Sequence, residues 1–287
     1  MALIPPFFID CVAAIGTGDS ENERHWVASG FLYGYRLPDG VNKEREYQVY
    51  LVTNRHVLSG MERAHLRFNP IDSKNAREFS LDLIDDAGRP LWFTHPDERI
   101  DVAVAPINFD LLQERGMQVA YFENDHHGAT IEMLKQAGVT EGDFAYVLGF
   151  PMGLVGGHRN SVIVRSGTLA RIRDVLAGSN TAFLVDAFVF PGNSGGPVVL
   201  KPEALAIEGT LAQTMPYLIG VVQAYVPYED VAVSVQTGQP RIVFEENAGL
   251  AAVLPVDFIE ETIAARCVPQ IQMSAAQRVS REETADD

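Results

Sequence analysis

A single serine lies between glycines in the segment Pro191-Gly192-Asn193-Ser194-Gly195-Gly196-Pro197. Glycine and proline at this density predict a tight loop rather than the interior of a strand or helix. Glycine also lets the backbone turn inward, so that the N–H groups of Gly192 and Ser194 could converge on one point. Two convergent donors are what a developing oxyanion requires. The segment therefore indicates a nucleophilic serine, with an ordinary surface turn as the alternative.

A serine hydroxyl needs an adjacent base, and the base needs a group that orients it. His56 is the favoured base because it directly follows the apolar strand predicted over 47–53, a rigid element that can aim a side chain. His126 and His127 lie in a polar loop and are expected to be solvated. A metal role for that pair is a weak alternative, because no spaced Cys or Asp partners accompany it. The remaining histidines are expected at the surface: His25, His65, His95 and His158.

The orienting carboxylate is predicted to be Asp101, which begins the apolar stretch 101–105. A buried carboxylate at the head of such a strand must find hydrogen-bond donors, and the N–H of an imidazole base would supply one. An exposed aspartate at the start of a strand is the alternative. Asp97 is the second candidate for the role.

Chain order separates two kinds of serine hydrolase. Residues 192–196 also satisfy the G-x-S-x-G motif of α/β-hydrolases, in which the histidine follows the serine. All seven histidines precede Ser194, and residues 197–200 predict a strand rather than the required helix. The order His56, Asp101, Ser194 is instead that of the chymotrypsin class.

Further segments resemble the trypsin-like peptidases, and most closely the bacterial HtrA (Do-like) branch. They run in order through residues 25–265: TNRHV (53–57), IDVAV (100–104), GD with LGFPMGL (142–143 and 148–154), SGT (166–168), DAFVFPGNSGG (186–196) and AVLP (252–255). The resemblance implies an all-β fold of two six-stranded antiparallel β-barrels at right angles with a C-terminal helix, and an active-site cleft between them. It also implies an oxyanion hole from the N–H groups of Gly192, Asn193 and Ser194. Two departures are Phe190, which replaces the usual Asn before Pro-Gly, and the lack of a segment long enough for the PDZ domain that usually follows.

The predicted organisation has five parts. Residues 1–120 form a first barrel lobe with His56 and Asp101, 121–142 connect the lobes, 143–254 form a second barrel lobe with Ser194, 255–271 form a helix that Pro255 opens, and 272–287 form a flexible tail. A second helix is predicted over 109–115. Short strands rich in β-branched and aromatic residues are predicted over 31–35, 47–53, 102–105, 144–148, 162–165, 183–189, 197–200, 219–225 and 239–244.

Composition limits the partners. The net charge of −16 makes nucleic acid an improbable ligand. The sequence has no apolar run of about 18 residues that would span a membrane. Its first residues make a poor signal peptide, and its two cysteines, Cys11 and Cys267, are expected to be free thiols in a reducing compartment. These features favour a cytoplasmic protein, and no cofactor or metal is predicted.

The primary substrate pocket is predicted from residues near the nucleophile. Phe188, six residues before Ser194, is expected near its floor, and the strand carrying Gln223, Ala224 and Tyr225 is expected to form a wall. An apolar, shallow pocket predicts cleavage after small or medium aliphatic residues rather than after Arg or Lys. The leading hypothesis is an endopeptidase acting on a protein or peptide. The alternatives are a pseudo-peptidase that serves as a binding or scaffold module and a peptidase that is silent until a protein partner activates it.

Overall fold

The computed structural model describes residues 4–18, 20, 23–38, 45–72, 75–203, 206–207 and 211–266. Strands dominate these residues and form two lobes, a first sheet and a closed barrel, with a helix after the last strand. The predicted all-β class is therefore confirmed. The described helices are too short or too polar to cross a bilayer.

The first lobe is a nine-stranded sheet. Its strands are β1 (Val12–Thr17), β2 (His25–Arg36), β3 (Tyr47–Thr53), β4 (Arg63–Pro70), β5 (Arg77–Asp82), β6 (Phe93–Thr94), β7 (Ala103–Pro106), β8 (Met117–Gln118) and β9 (Phe122–Glu123). Seven of them follow the order β5-β4-β1-β2-β3-β7-β6, while β8 pairs with β4 and β9 with β2. The strand β3 lies inside the sheet between β2 and β7, and its residues from Val49 to Thr53 are all buried. This explains why its sequence is almost continuously apolar.

The first lobe is a half-barrel sheet, less closed than the six-stranded barrel that was expected. The two ends of its strand path, β5 and β6, are not paired with each other in the described part of the chain. The chain between them makes only an isolated bridge, Ile84 with Pro90, and β6 has two residues. A strand that short cannot form the ladder that closure requires, so the lobe is a half-barrel.

The second lobe is a closed six-stranded barrel, as expected. Its strands are β10 (Phe144–Gly149), β11 (Ile163–Arg171), β12 (Phe183–Asp186), β13 (Pro197–Leu200), β14 (Leu218–Val233) and β15 (Pro240–Pro255), in the order β10-β11-β12-β15-β14-β13. Together the two lobes correspond to the chymotrypsin-like double barrel. The strands β14 and β15 have 16 residues each and run far beyond the predicted 219–225 and 239–244. No element was predicted for residues 226–238 between those segments, yet residues 227–233 pair with 240–247 as a hairpin.

The described residues also form six α-helices: α1 (Pro6–Asp10), α2 (Arg55–Leu58), α3 (Phe109–Glu114), α4 (Ile131–Gln136), α5 (Arg173–Leu176) and α6 (Val256–Arg266). The predicted helix over 109–115 is confirmed as α3. The last helix begins one residue later than predicted, because Pro255 still pairs with Gly220 as the end of β15. Cys267 and the predicted tail, 272–287, lie outside the described residues. Cys11 is buried and free, and its burial raises the pKa of its thiol.

A shared hydrophobic core joins the lobes. Phe31 and Phe122 from the first lobe pack in the same cluster as Leu148 and Leu254 from the second, together with Ile259 of α6. Each lobe also has a core of its own. Because one packed cluster spans both lobes, side chains at their boundary are held in a fixed relation.

The helix α5 begins on a carboxylate from the loop before β10. Glu141 Oε1 accepts hydrogen bonds from the N–H groups of Ile172 at 2.9 Å and Arg173 at 3.0 Å. These two bonds hold the pKa of Glu141 at about 2.

We expect Glu141→Gln to lower the free energy of unfolding near neutral pH by about 1–2 kcal/mol, as for other hydrogen bonds to a charged acceptor. The folded-state pKa is depressed, so this stabilisation is complete above the ordinary value of 4.5 and is lost as the pH falls through about 2. Urea unfolding across this pH range measures the difference, with the exposed Glu132→Gln as control. A destabilisation that stays constant on acidification would contradict the assignment.

Candidate active site

The loop that contains Ser194, residues 187–196, joins β12 to β13, and we refer to it as the serine loop. It turns at two glycines with positive φ. The φ angle is 101° at Gly192 and 80° at Gly195. A Cβ atom on Gly192 would lie 2.3 Å from the carbonyl oxygen of Phe150, and one on Gly195 would lie 2.1 Å from Thr53 Oγ1. Both glycines are therefore required by conformation and by close approach. The predicted tight loop is what the structure contains.

The backbone N–H groups of this loop divide into two kinds. The N–H of Asn193 donates to the carbonyl of Phe190 at 2.9 Å, and the Asn193 side-chain oxygen accepts from the Phe190 N–H at 3.0 Å. Within the described residues, the N–H groups of Gly192 and Ser194 donate to no protein acceptor. The turn therefore occupies the Asn193 amide, which corrects the expectation that all three amides are open to an oxyanion. The N–H groups of Gly192 and Ser194 remain available to donate to an oxyanion.

Asp101 holds His56 at two points. Asp101 Oδ2 lies 2.6 Å from the ring atom Nδ1 of His56, and Oδ1 accepts from the backbone N–H of His56 at 3.0 Å. The carboxylate is nearly buried, since its side chain is 12% exposed. An acceptor at Nδ1 places the ring proton there and leaves Nε2 with a lone pair. The arrangement is that of an oriented imidazole base.

Local structure explains how these two side chains meet. The chain leaves β3 at Thr53 and enters the single turn α2, where the His56 side chain is half-exposed. The side-chain nitrogen of Asn54 donates to the Asp101 carbonyl at 2.9 Å, so the start of α2 is tied to the residue that precedes β7. The competing candidate, Asp97, is instead paired with Arg99, whose hydrogen bonds lower the pKa of Asp97 to about 2.

The hydroxyl of Ser194 points towards β14. Its Oγ donates to the carbonyl oxygen of Gln223 at 3.4 Å, a long hydrogen bond. No hydrogen bond between Ser194 and His56 occurs among the residues described. Ser194 and its neighbours are nevertheless attached to the first lobe, because the N–H of Ser29 on β2 donates to the Ser194 carbonyl at 2.9 Å.

Ser29 was missed by sequence reasoning, and it connects three parts of the site. Its buried hydroxyl donates to the carbonyl of Gly192 at 2.6 Å and accepts from the N–H of Phe150 at 2.9 Å. The turn after Phe150 then contacts the serine loop again, through the Met152 N–H and the Pro191 carbonyl at 2.6 Å. A serine inside the β2 segment His25–Arg36 has no sequence feature that signals this role.

The predicted pocket residues lie on β14 and in the segment that follows β12. Phe188 is 55% exposed and stacks on Phe190, with 6.4 Å between ring centroids. It therefore does not form a sealed floor. Tyr225 is half-buried and donates its hydroxyl to Glu245, and Ala224 is exposed.

Two of the four histidines expected at the surface are buried. His65 lies in β4 with Nδ1 3.1 Å from Ser80 Oγ, and His95 lies with Nε2 2.9 Å from Glu261 Oε2. His25 and His158 are exposed, as expected.

The two histidines of the connecting loop, His126 and His127, also make more contacts than expected. His127 is half-buried, its Nδ1 accepts from the Glu123 N–H at 2.9 Å, and burial lowers its pKa. Ligand atoms of His126, Glu123 and Asp125 lie within 4.8 Å of one another, so carboxylates do accompany this histidine. The group is largely exposed and lies outside the His56 site.

Comparison with known proteins places this arrangement in a family. Residues 28–204 match the sequence model of a family described as "Trypsin-like peptidase domain". No curated protein sequence is significantly similar to the chain.

Solved structures with a similar overall fold include three at low identity. The MamO protease domain from Magnetospirillum magneticum, in its apo form, is 16% identical with a TM-score of 0.46, over 88% of this chain and 96% of that one. A structure of HBP is 12% identical with a TM-score of 0.49, over 92% and 94%. Human heparin binding protein is 12% identical with a TM-score of 0.48, over 92% and 95%.

We expect Ser29→Ala to destabilise the protein by about 1–3 kcal/mol, because it leaves the Gly192 carbonyl and the Phe150 N–H buried without their partner. Thermal and urea unfolding measure the change. Ser59→Ala is the matched control, since the Ser59 hydroxyl also bonds a carbonyl, that of Arg55 at 2.8 Å, but is exposed. Equal stability of the two variants would contradict the proposed role of Ser29 in fixing the serine loop.

Proposed function

Because the chain belongs to the family of trypsin-like peptidase domains, we propose that it is a serine endopeptidase with Ser194 as nucleophile, His56 as general base and Asp101 as the orienting carboxylate. The observation that carries the proposal is the double attachment of His56 to Asp101, through ring Nδ1 at 2.6 Å and backbone N–H at 3.0 Å. A structural ion pair does not need both contacts. A general base needs both, because it must keep one tautomer and one orientation.

In the proposed reaction, Ser194 Oγ attacks the carbonyl carbon of the scissile peptide while His56 Nε2 takes the hydroxyl proton. The carbonyl oxygen becomes an oxyanion that the N–H groups of Gly192 and Ser194 stabilise. His56 then returns the proton to the departing amine, which leaves an ester on Ser194. Water, deprotonated by the same imidazole, attacks the ester, and His56 returns that proton to Ser194 Oγ as the ester C–O bond breaks and the carboxylic acid product is released.

One rearrangement precedes this chemistry. The Ser194 hydroxyl donates to the Gln223 carbonyl, so it has to turn from β14 towards His56 before its proton can be taken. Rotation of a serine side chain between staggered positions is a local change that leaves the loop backbone in place.

For specificity we propose a preference for small or medium apolar residues before the scissile bond. The apolar surface of Phe188 and Phe190 supports this preference, since their rings stack beside the serine loop. No carboxylate is offered at Phe188, where selection for Arg or Lys would favour one. Cleavage of a peptide library dominated by Arg or Lys would overturn this part of the proposal.

A fluorophosphonate probe tests for an assembled nucleophile. We expect a covalent adduct at Ser194, located by mass spectrometry, that disappears in both Ser194→Ala and His56→Ala. The control variants Ser179→Ala and His158→Ala change exposed residues and should keep full labelling. Labelling that persists in His56→Ala at the wild-type rate would eliminate His56 as the base.

Asp101→Asn tests the orienting carboxylate. The amide is close in size to the carboxylate but favours the wrong imidazole tautomer, and we expect a loss of about 10³–10⁴-fold in kcat. The KM for a peptide substrate should change little, because Asp101 is expected to contact His56 and not the substrate. Asp97→Asn provides the matched comparison, and a larger loss there would transfer the role to Asp97.

A second form of the proposal is a peptidase that stays silent until a protein partner activates it. The hydrogen bond from Ser194 to Gln223 favours this form, because it occupies the nucleophile away from its base. The two forms differ in one result. The isolated protein reacts with the probe in the first, and reacts only after a partner is added in the second.

A further inference from the structure

The hairpin formed by the outer halves of β14 and β15 projects from the second barrel. We refer to residues 227–247 as the hairpin arm. Pairing runs without a break from Pro227 with Asn247 to Ala232 with Ile242, and nearly all of these residues are exposed. A two-stranded hairpin with both faces in water is only marginally stable by itself. An arm of this length is therefore expected to bind another polypeptide segment.

The arm exposes large apolar side chains on both faces. They are Tyr228, Val231, Val233, Val235, Ile242, Val243 and Phe244, each between 43% and 102% exposed. Val231 lies opposite Val243, and Asp230 opposite Phe244, so apolar and acidic residues share the surface. Clustered exposed apolar side chains mark a binding surface rather than a solvated one.

One edge of β14 is open along the arm and begins at the nucleophile. Val222 exchanges hydrogen bonds with the serine loop, from its N–H to the Gly196 carbonyl and to its carbonyl from the Gly195 N–H, each at 2.9 Å. Beyond Val222, the described part of the chain pairs with β14 only through β15. The next residue, Gln223, is the one whose carbonyl receives the Ser194 hydroxyl. The open edge thus starts at Ser194 and continues along the arm.

Two details of the arm are typical of an edge strand. Pro227 lies within β14, and proline is tolerated in sheets mainly at edges. The N–H of Val231 donates to the adjacent side chain of Asp230 at 2.8 Å, a local partner of the kind that an unpaired edge adopts.

The charge of the arm limits which polypeptide segments could pair with this edge as a further strand. It carries four carboxylates, Glu229, Asp230, Glu245 and Glu246, against one cation, Arg241. A second copy of the same arm would bring like charges together, in a protein whose net charge is already −16. An extended polypeptide with apolar and basic side chains fits both the apolar positions and the charge.

The chemistry of the site decides which part of a substrate lies there. The departing amine must receive its proton from His56, so it leaves on the side of the first lobe. The acyl part remains on the other side of Ser194, where Gln223 lies. The acyl part carries the residues N-terminal to the scissile bond.

We propose that the hairpin arm forms an additional substrate-binding surface upstream of the scissile bond, continuous with the edge of β14 at Gln223, and that it selects extended segments rich in apolar and basic residues. This inference rests on the proposed peptidase function and names its substrate class. Strand addition matches residues one to one, so recognition reaches about ten residues upstream of the cleaved bond. Pro227 lacks an N–H and leaves one gap in that ladder.

Paired peptides test the proposal. All share one cleavable core, and they carry upstream a ten-residue extension of alternating Val and Lys, alternating Val and Glu, or Gly and Ser. We expect the Val-Lys extension to raise kcat/KM about tenfold over the unextended core through a lower KM, since several weak ion pairs and apolar contacts add up to roughly that factor. The Val-Glu and Gly-Ser extensions should give no gain.

Charge-reversal variants of the arm provide the decisive comparison. Glu229→Lys with Glu246→Lys changes exposed residues only, and it should remove the gain from the Val-Lys extension and create one for Val-Glu. The matched control Glu132→Lys lies on α4 and should keep the wild-type preference. Fluorophosphonate labelling of Ser194 verifies that each variant has an assembled site. Direct binding of the same peptides to Ser194→Ala, measured by fluorescence anisotropy, should follow the same order.

Failure of this inference is separable from failure of the proposed function. Labelling and cleavage of the unextended core, with equal kcat/KM for all extensions, would overturn the inference and leave the peptidase standing. Equal binding of all extensions to Ser194→Ala would overturn it even without cleavage. Dimerisation in sedimentation that the arm substitutions abolish would assign the arm to a second copy instead, and would also overturn it.

Discussion

The approach of the serine loop to the first lobe is the constraint on which the site depends. Gly195 lies so close to Thr53 and Ser29 that no side chain fits, and the Ser194 carbonyl is bonded to the N–H of Ser29. Thr53 ends the strand that leads into His56. The position of Ser194, the proposed nucleophile, is therefore set directly against the strand that leads into His56, the proposed base. The shared core of the two lobes maintains this backbone contact.

A second consequence concerns the oxyanion donors. The Ser29 hydroxyl holds the Gly192 carbonyl, and the Asn193 amide is used within the turn. The Gly192 carbonyl, the Ser194 carbonyl and the Asn193 N–H all have partners, and these hydrogen bonds restrict the orientation in which the loop presents the Gly192 and Ser194 amides. Such restriction suits an oxyanion hole, since donors that reorganise during the reaction lose their effect.

The residues with distinctive local chemistry were predictable, and those that act through packing were not. Ser194 and His56 stand out by their neighbours in sequence, and Asp101 by its place before an apolar strand. The strands over 47–53 and 197–200 and the helix near 109 follow from short-range patterns in the same way. Ser29 could not be found, because its role arises from contacts with residues more than a hundred positions away. The open first lobe, the burial of His65 and His95 and the arm likewise depend on pairing between distant segments, for which a local pattern carries no signal.

The Gln223 carbonyl links the resting nucleophile to the open edge. It accepts the Ser194 hydroxyl in the absence of substrate, and it is also the first carbonyl available to a strand that adds along β14. A substrate N–H that takes this carbonyl removes the acceptor of the Ser194 hydroxyl, whose remaining strong acceptor nearby is the Nε2 lone pair of His56. Strand addition and activation of the nucleophile then become one event. In this proposal a chain that binds the arm without reaching Gln223 leaves Ser194 in its resting position, so the arm contributes to substrate binding and the substrate residue at Gln223 contributes to activation of the nucleophile.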